Sequence, residues 1–386
     1  MSALTRLLRR PARSSRPVVP THQPVVGLDI GSSAIKVAEI QRTGKAWQLL
    51  HCGIQPLPPE AVVDGQIKQA EVVTQAIREL LATTGITTRQ TALSLGGSSI
   101  ITKKIQTASM TELDLEDQIA LEAEEYIPFD IDEVNLDFQI LGQTGETMDV
   151  LLTACKKELI LGHTEVIRQA GLDPQVCDLD LFCLINACQT LLQTGPTPAP
   201  TGPTPNPAAG AIALVNIGTT FLNMAIMTPD GLPGYIRDHS LGCRQIIHEI
   251  KTRGDLGWTE AEQRLIMPEQ QGGHHSDPLA IQTEIVLPFL EQVAQQIRQA
   301  VGFHKTGHPD QPVTLICLSG GGALLPNAAT AIQEHLGLPT RVAEPFANLT
   351  YRPRRGKPQN TSLEQLHPVA PRFMVALGLA LRGEKR

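Results

Sequence analysis

One pattern occurs twice in this chain: an apolar strand that breaks at a glycine turn and resumes as a second strand. It appears first as "VVGLDIGSSAIKVAEI" at residues 25–40 and again as "GAIALVNIGTTFLNMAIMTP" at 210–229. With Ile30-Gly31-Ser32 placed on Ile217-Gly218-Thr219, the apolar positions coincide on both sides of the turn. A duplicated β-hairpin is the economical explanation, and it constrains the chain to two related halves. Between them lies "TGPTPAPTGPTPNPAAG" at 194–210, with six prolines from 196 to 207. Such a stretch forms neither ladder nor helix and reads as an extended spacer. At 386 residues the chain also exceeds the roughly 250–300 that one core holds, so at least two lobes are expected.

Between the hairpins, strands and helices alternate. "QAEVVTQAIRELLATTGI" carries Val72, Val73, Ala76, Ile77, Leu80 and Leu81 at helical spacing, and the strand "TALSLGG" follows. "LDLEDQIALEAEEYIPF" puts Leu115, Ile119, Ala123 and Tyr126 on one face of a helix that runs to Pro128, with acids opposite. In the second half, residues 277–304 form a long helix with a kink or break at Pro288, and "PVTLICLSGGGALLPN" is a buried strand entering glycines and then a helix. The expected fold class is α/β.

Composition removes several functions. Aromatic residues are only 3% of the chain, too few for a platform that stacks single-stranded nucleic acid. The net charge of -7 makes the whole chain a poor polyanion binder, so basic attraction is local. The local patch is the first 20 residues, with five arginines and no acid, read as a disordered tail or a weak contact for an anionic membrane surface. The seven cysteines are scattered and contain no C-x-x-C, which supports neither a disulfide framework nor a zinc site.

Three turns carry the chemistry. A tight turn after a strand presents successive backbone N–H groups, and a concave array of such donors binds phosphate. Gly31 permits that turn, Ser32 and Ser33 add hydroxyls, and Lys36 on the returning strand can neutralise a phosphate. Asp29 at the rim is placed to hold, through water, the Mg2+ that accompanies a nucleoside triphosphate. On its own this hairpin is equally readable as an ordinary glycine turn. Gly218, Thr219 and Thr220 supply an equivalent turn from the other half, so that two turns could grip one phosphate chain. In "LSGGGALLPN", Ser319 to Gly322 lie between strand and helix, where backbone can press against a base or ribose.

Two hairpins of this kind with a late glycine loop resemble the actin/Hsp70/hexokinase superfamily, in which ATP sits between two lobes. Within it, "GLDIGSSAIKVAEI" and above all "QIALEAEEYIPFDIDEVNLDFQILG" resemble the PilM family of actin-like type IV pilus assembly proteins, itself similar to the cell-division protein FtsA. The resemblance implies an actin-like, duplicated ATPase fold with an FtsA/PilM-type extra subdomain at about 91–173. It implies a first lobe at 24–193 behind the tail 1–23, a linker at 194–209, and a second lobe at 210–382 whose C-terminal helix, 371–382, returns to the first lobe.

The same resemblance assigns Asp29, Gly31, Ser32, Ser33 and Lys36 to a first phosphate motif and Asn216, Gly218, Thr219 and Thr220 to a second. Ser319, Gly320, Gly321, Gly322 and Ala323 match its adenosine motif, and Asp180 in "DLDLF" faces the cleft where the lobes connect. The cofactors implied are ATP and Mg2+, with Asp29, Asp180 and Asn216 nearest the chemistry. The partner implied is the N-terminal cytoplasmic peptide of a PilN-like membrane protein, bound in a groove between the first lobe and the subdomain. The protein is then cytoplasmic and peripheral at the inner membrane through that partner. Two departures are visible. Asn216 stands where the family commonly has aspartate, so hydrolysis is expected to be slow. "TEAEQRLI" offers Arg264 and Leu265 where a lysine is usual, which puts ribose or base contact from that helix in doubt. The alternatives are a sugar-kinase-type phosphotransferase, which shares the fold, and an FtsA-like filament former.

Overall fold

A computed structural model describes residues 25–44, 46–192, 210–266, 278–351 and 366–383. The Arg-rich tail and the Pro-rich spacer lie outside the described residues.

In the first half, β1 (Val26–Ile30), β2 (Ala34–Thr43) and β3 (Ala46–Pro56) form an antiparallel meander. After a small hairpin, β4 (Val62–Val63) and β5 (Gln66–Ile67), strand β6 (Gln90–Leu95) runs parallel to β1, and β10 (Asp173–Leu179) runs parallel to β6. In the second half, β11 (Ala211–Ile217), β12 (Leu222–Met227) and β13 (Pro233–His239) repeat the meander. Strands β14 (Val313–Ser319) and β15 (Thr340–Val342) repeat the two parallel additions. The sheet orders β10-β6-β1-β2-β3 and β15-β14-β11-β12-β13 therefore match strand for strand. The first sheet gains an outer strand, β16 (Leu349–Tyr351), which crosses from the second half to pair with β3. All five residues of β1 are buried, as expected of a central strand covered on both faces.

Helices α1 (Ala70–Thr84) and α3 (Lys157–Gln169) cover the outer face of the first sheet, with Val73, Ile77, Leu80, Ile160 and Ile167 in its core. Val72 departs from the sequence expectation: it is 36% exposed, because it lies at the margin of the helix's apolar stripe. Helix α2 (Glu112–Glu124) packs Leu115, Ile119 and Ala123 onto a separate sheet, β7 (Ile100–Ala108), β9 (Thr147–Lys156) and β8 (Val134–Thr144). It ends before the expected Pro128, with Ile127 tucked into the core, because the residue preceding a proline is driven out of helical backbone. This separate sheet spans 100–156, while β6 and β10 belong to the first sheet and α3 packs in its core.

Helix α4 (Asp180–Ala187) follows β10. In the second half come α5 (Arg244–Gly254), α6 (Trp258–Ile266), α7 (Leu287–Gly307) and α8 (Ala328–Leu336). The expected break at Pro288 takes a specific form: a π-helical turn over Ile281–Val286 leads into α7, with Pro288 at the second position of the α segment. A proline ring crowds the carbonyl one turn back, and a wider turn relieves that contact.

The last helix, α9 (Met374–Ala380), is buried along its whole length and lies with α4 in a core shared by residues of both sheets. Two glycines let it fit. A Cβ on Gly27 of β1 would lie 2.0 Å from the Ala376 carbonyl oxygen, and one on Gly378 would lie 2.0 Å from the Cys183 carbonyl oxygen of α4. Arg382, just past α9, pairs at 2.5 Å with Asp178 of β10, which is fully buried. Among the described residues no helix is long and apolar enough to cross a membrane.

Candidate functional site

The two glycine turns are built alike and face each other. Gly31 N–H donates to Ala34 O at 3.1 Å, and Gly218 N–H donates to Phe221 O at 2.9 Å. The strand register is equivalent, Ile30 opposite Ile35 and Ile217 opposite Leu222. Across the gap, Thr219 Oγ1 donates to Ser33 Oγ and Thr220 Oγ1 to Ser32 Oγ, each at 2.9 Å.

Asp29 is buried because β1 is central, and its register partner on β2 is Lys36. Lys36 Nζ lies 2.8 Å from Asp29 Oδ2 and 3.3 Å from the Ala34 carbonyl oxygen, so one ammonium neutralises the buried carboxylate and braces the turn. Asp180, the first residue of α4, is half-buried nearby. Burial, then the Asp29 charge, pushes its carboxyl from 3.8 up to about 7, with Asp238 adding to the rise and the Ser94 side chain and Lys36 opposing it. Asp238 is itself raised by burial.

Asn216 is held on both sides. Its Nδ2 donates to Asn223 Oδ1 at 2.8 Å, while its Oδ1 accepts from Ser319 Oγ at 3.3 Å. Asn223 Nδ2 in turn donates to Asp238 Oδ1 at 2.8 Å. The third turn closes over this chain. Gly320 has φ 81°, and a Cβ there would stand 2.5 Å from the Ile217 carbonyl oxygen and 2.6 Å from Asn216 Oδ1. A Cβ on Gly321 would meet nothing within 4 Å, so backbone forms an open wall at that point.

These pieces line one cleft of about 1080 Å³ between the halves. Of the sequence-predicted residues, Asp29, Gly31, Ser32, Ser33, Lys36, Asp180, Asn216, Gly218, Thr219, Thr220, Gly320 and Gly321 line it. Ser319, Gly322 and Ala323 lie behind the wall. Ser319 is turned inward to Asn216, a Cβ on Gly322 would lie 2.2 Å from Ile217 Cγ2, and Ala323 belongs to the second lobe's core.

Other cleft residues include Arg372, which the sequence did not mark, and two from the "TEAEQRLI" helix. Arg372, in the segment entering α9, lines the cleft with Glu262 and Leu265 of α6. Burial lowers the Arg372 guanidinium, opposed by the Glu262 and Asp29 charges, and burial raises the Glu262 carboxyl. Helix α6 thus faces the cleft through Glu262 and Leu265, while Arg264 pairs with Glu260 at 3.1 Å. Gly96, at the end of β6, also lines the cleft. The duplication carried a signal for it, since β6 and "LSLGG" stand in the first half where β14 and "LSGGG" stand in the second.

Two cations, Lys36 and Arg372, with three inward turns suit an extended polyanion, and the bare backbone at Gly321 suits a flat group. Among the described residues no three His, Cys, Asp or Glu side chains are grouped to coordinate a metal directly.

A second depression of about 840 Å³ adjoins the cleft where the extra subdomain meets both lobes. Its lining includes Leu95, Ile100 to Lys103, Leu179, Leu181 and Ile236 to Asp238. Asp180 and Phe221 line both cavities.

A family model described as type IV pilus assembly protein PilM matches residues 27–384. Among solved structures, the chain resembles a PilM-PilN type IV pilus biogenesis complex at 26% identity and a TM-score of 0.78, covering 95% of this chain and 100% of that one. It also resembles ethanolamine utilization protein EutJ from Carboxydothermus hydrogenoformans at 15% identity and a TM-score of 0.52, covering 95% of this chain and 91% of that one. The fold is thus the two-lobed α/β fold of actin-like proteins.

Proposed function

The chain belongs to the type IV pilus assembly protein PilM family, and from that premise we propose that it is an ATP-binding scaffold for pilus assembly. ATP with Mg2+ occupies the cleft, and the adjoining groove takes the N-terminal tail of a PilN-like inner-membrane protein. The protein is then a cytoplasmic one recruited to the membrane by its partner.

The observation that carries this reading is the sharing of Asp180 and Phe221 by cleft and groove. A ligand that moves either side chain changes the wall of the other cavity, which is what coupling between two sites requires. Within the cleft, the turns around Gly31 and Gly218 orient the phosphates by backbone N–H groups, and Lys36 and Arg372 balance their charge. Asp29 is the residue that would hold the magnesium, which would supply charge neutralisation at the phosphates. Asp180 holds or releases a proton near neutrality. Asn216 has no carboxylate with which to take a proton from water, and its amide is engaged on both sides, so turnover is slow and binding is the function.

Calorimetric titration of the full chain with Mg-ATP, alone and with a synthetic peptide of the partner's N-terminal cytoplasmic residues, tests this. The expected result is an affinity changed about fivefold or more by the peptide, with the reciprocal change in peptide affinity. Equal affinities in all arms would overturn the coupling, and absence of Mg-ATP binding would overturn the assignment of the cleft.

A further inference from the structure

In a β-strand, successive side chains point to opposite faces of the sheet, so a run of consecutive residues lines one cavity only where the strand presents its edge. The groove beside the cleft shows this twice. Ile100, Ile101, Thr102 and Lys103 of β7 all line it, as do Ile236, Arg237 and Asp238 of β13. Both strands are outermost in their sheets: among the described residues, β7 pairs only with β9, and β13 only with β12. The groove is therefore bounded by two free sheet edges, one from the extra subdomain and one from the second lobe.

Its floor and rim differ in chemistry. Leu95, Leu179, Leu181 and Ile236 give an apolar surface, while Asp180 and Asp238 are half-buried beside it, with carboxyls raised by burial. Four lining residues are exposed at the rim, Ser98, Lys103, Arg237 and Ser240, and the two that carry charge, Lys103 and Arg237, are basic. Lysine is a usual guard on an edge strand, where it discourages pairing with an unselected chain.

We infer that the groove is a two-sided strand-addition site, in which an extended, apolar partner segment of about four residues pairs with β7 on one side and β13 on the other. This rests on the reading that the groove takes the partner's tail. Alternate side chains of the segment pack on the leucine floor, and an acidic residue beside them meets Lys103 and Arg237. Strands pair at a spacing of about 4.8 Å, so one strand bridges the two edges only when they stand about 10 Å apart. Because β7 belongs to the extra subdomain's sheet and β13 to the second half's sheet, the spacing between those units decides whether both edges are reached at once.

The test uses the full chain and a synthetic peptide of the partner's N-terminal cytoplasmic residues, with single backbone N-methyl groups placed along it. Binding of the unmodified peptide should slow amide hydrogen exchange in both Ile100–Lys103 and Ile236–Asp238. Successive amides of a strand point to opposite edges. N-methylation across the bound segment should therefore weaken binding about tenfold at each position, alternate positions restoring exchange in β7 and the others in β13. Binding that tolerates every N-methyl group would overturn strand addition while leaving the partner reading intact. Sensitivity at alternate positions only, with one edge unprotected, would overturn the two-sided form. Failure of the unmodified peptide to bind would overturn the partner reading itself. Protection that rises with protein concentration in the absence of peptide would give the groove to a second copy and overturn the proposal.

Discussion

Thr219 Oγ1 donates a hydrogen bond to Ser33 Oγ at 2.9 Å, joining two turns that are 186 residues apart in the chain. Thr220 and Ser32 repeat the bond at the same distance. Four hydroxyls at the mouth of the phosphate turns thus satisfy one another. A phosphate oxygen is a better acceptor than a hydroxyl, because a charge-assisted bond is about twice as strong as a neutral one. A triphosphate entering here would exchange these neutral bonds for stronger ones, drawing on both lobes together. The double substitution Ser32→Ala with Ser33→Ala should fold, since both residues are partly exposed, and should weaken Mg-ATP binding at least tenfold by calorimetry. An unchanged affinity would remove these hydroxyls from the phosphate site.

Asp180 gives stability a pH dependence whose sign is fixed. Its carboxyl is raised from 3.8 to about 7, by burial first and then by Asp29. Between those pH values the folded protein keeps a proton that the unfolded chain has lost, so stability falls as pH rises through the window and levels off above about pH 7. A span of about three pH units corresponds to an upper figure of about 4 kcal/mol. Asp180→Asn is neutral at every pH and should flatten this slope, gaining stability over the parent at pH 8 but little at pH 4. Urea midpoints at the two pH values measure it, and parallel pH slopes in parent and variant would place the effect elsewhere.

The hairpins could be read in sequence because each is local. Burial of a central strand demands a continuous apolar run, a tight turn demands glycine, and a duplication repeats both. Asp29 was visible as an exception to that run, and Lys36 as its neighbour across the turn. Arg372 had no such mark, and Glu262 was marked only by the "TEAEQRLI" helix that the family resemblance singled out. They meet only because α9 returns to the first lobe through Gly27 and Gly378, a packing decision made by residues hundreds of positions apart. The same holds for Ser319, Gly322 and Ala323: a glycine-rich loop announces close backbone approach without saying which residue faces the ligand and which faces the wall. Val72 shows the limit of helical periodicity, which finds the apolar stripe but leaves its margin uncertain by one residue.

Neighbouring glycines of the third turn should behave oppositely. At Gly320, alanine brings both a strained φ of 81° and a Cβ 2.5 Å from the Ile217 carbonyl oxygen, which cannot move without disturbing β11. Gly320→Ala is expected to cost several kcal/mol in urea denaturation and to displace Asn216. Gly321→Ala meets nothing within 4 Å and should leave stability within about 1 kcal/mol. If backbone at Gly321 lies against the base, that variant loses Mg-ATP affinity while remaining as stable as its parent.

Arg382 fastens the end of the chain to the strand that leads into Asp180. It places Nη2 and Nε each 2.5 Å from Asp178 Oδ2, and Asp178 is 0% exposed. Removing the guanidinium leaves a buried carboxylate without its counter-charge, a change that costs about 3–5 kcal/mol. Arg382→Ala should lower the urea midpoint accordingly, and adding Asp178→Asn should recover most of the loss. A double variant as unstable as the single one would show that Arg382 acts by packing its stem rather than by its charge.

Asn216→Asp tests why turnover should be slow. An aspartate cannot donate to Asn223 Oδ1, so the bond now made at 2.8 Å would be lost. Rotation of the Asn223 amide repairs it, turning its NH2 toward the new carboxylate and its oxygen toward Asp238. Asp238 can answer as a donor, because burial already raises its carboxyl and favours the protonated form. The variant should therefore fold at a cost of about 1–2 kcal/mol, with the chain from Ser319 to Asp238 reorganised by a single proton. With a carboxylate now able to take a proton from water, phosphate release from Mg-ATP should rise by about 10²-fold or more. A flat rate, measured alongside nucleotide affinity that is retained, would mean that the missing carboxylate is not what limits hydrolysis.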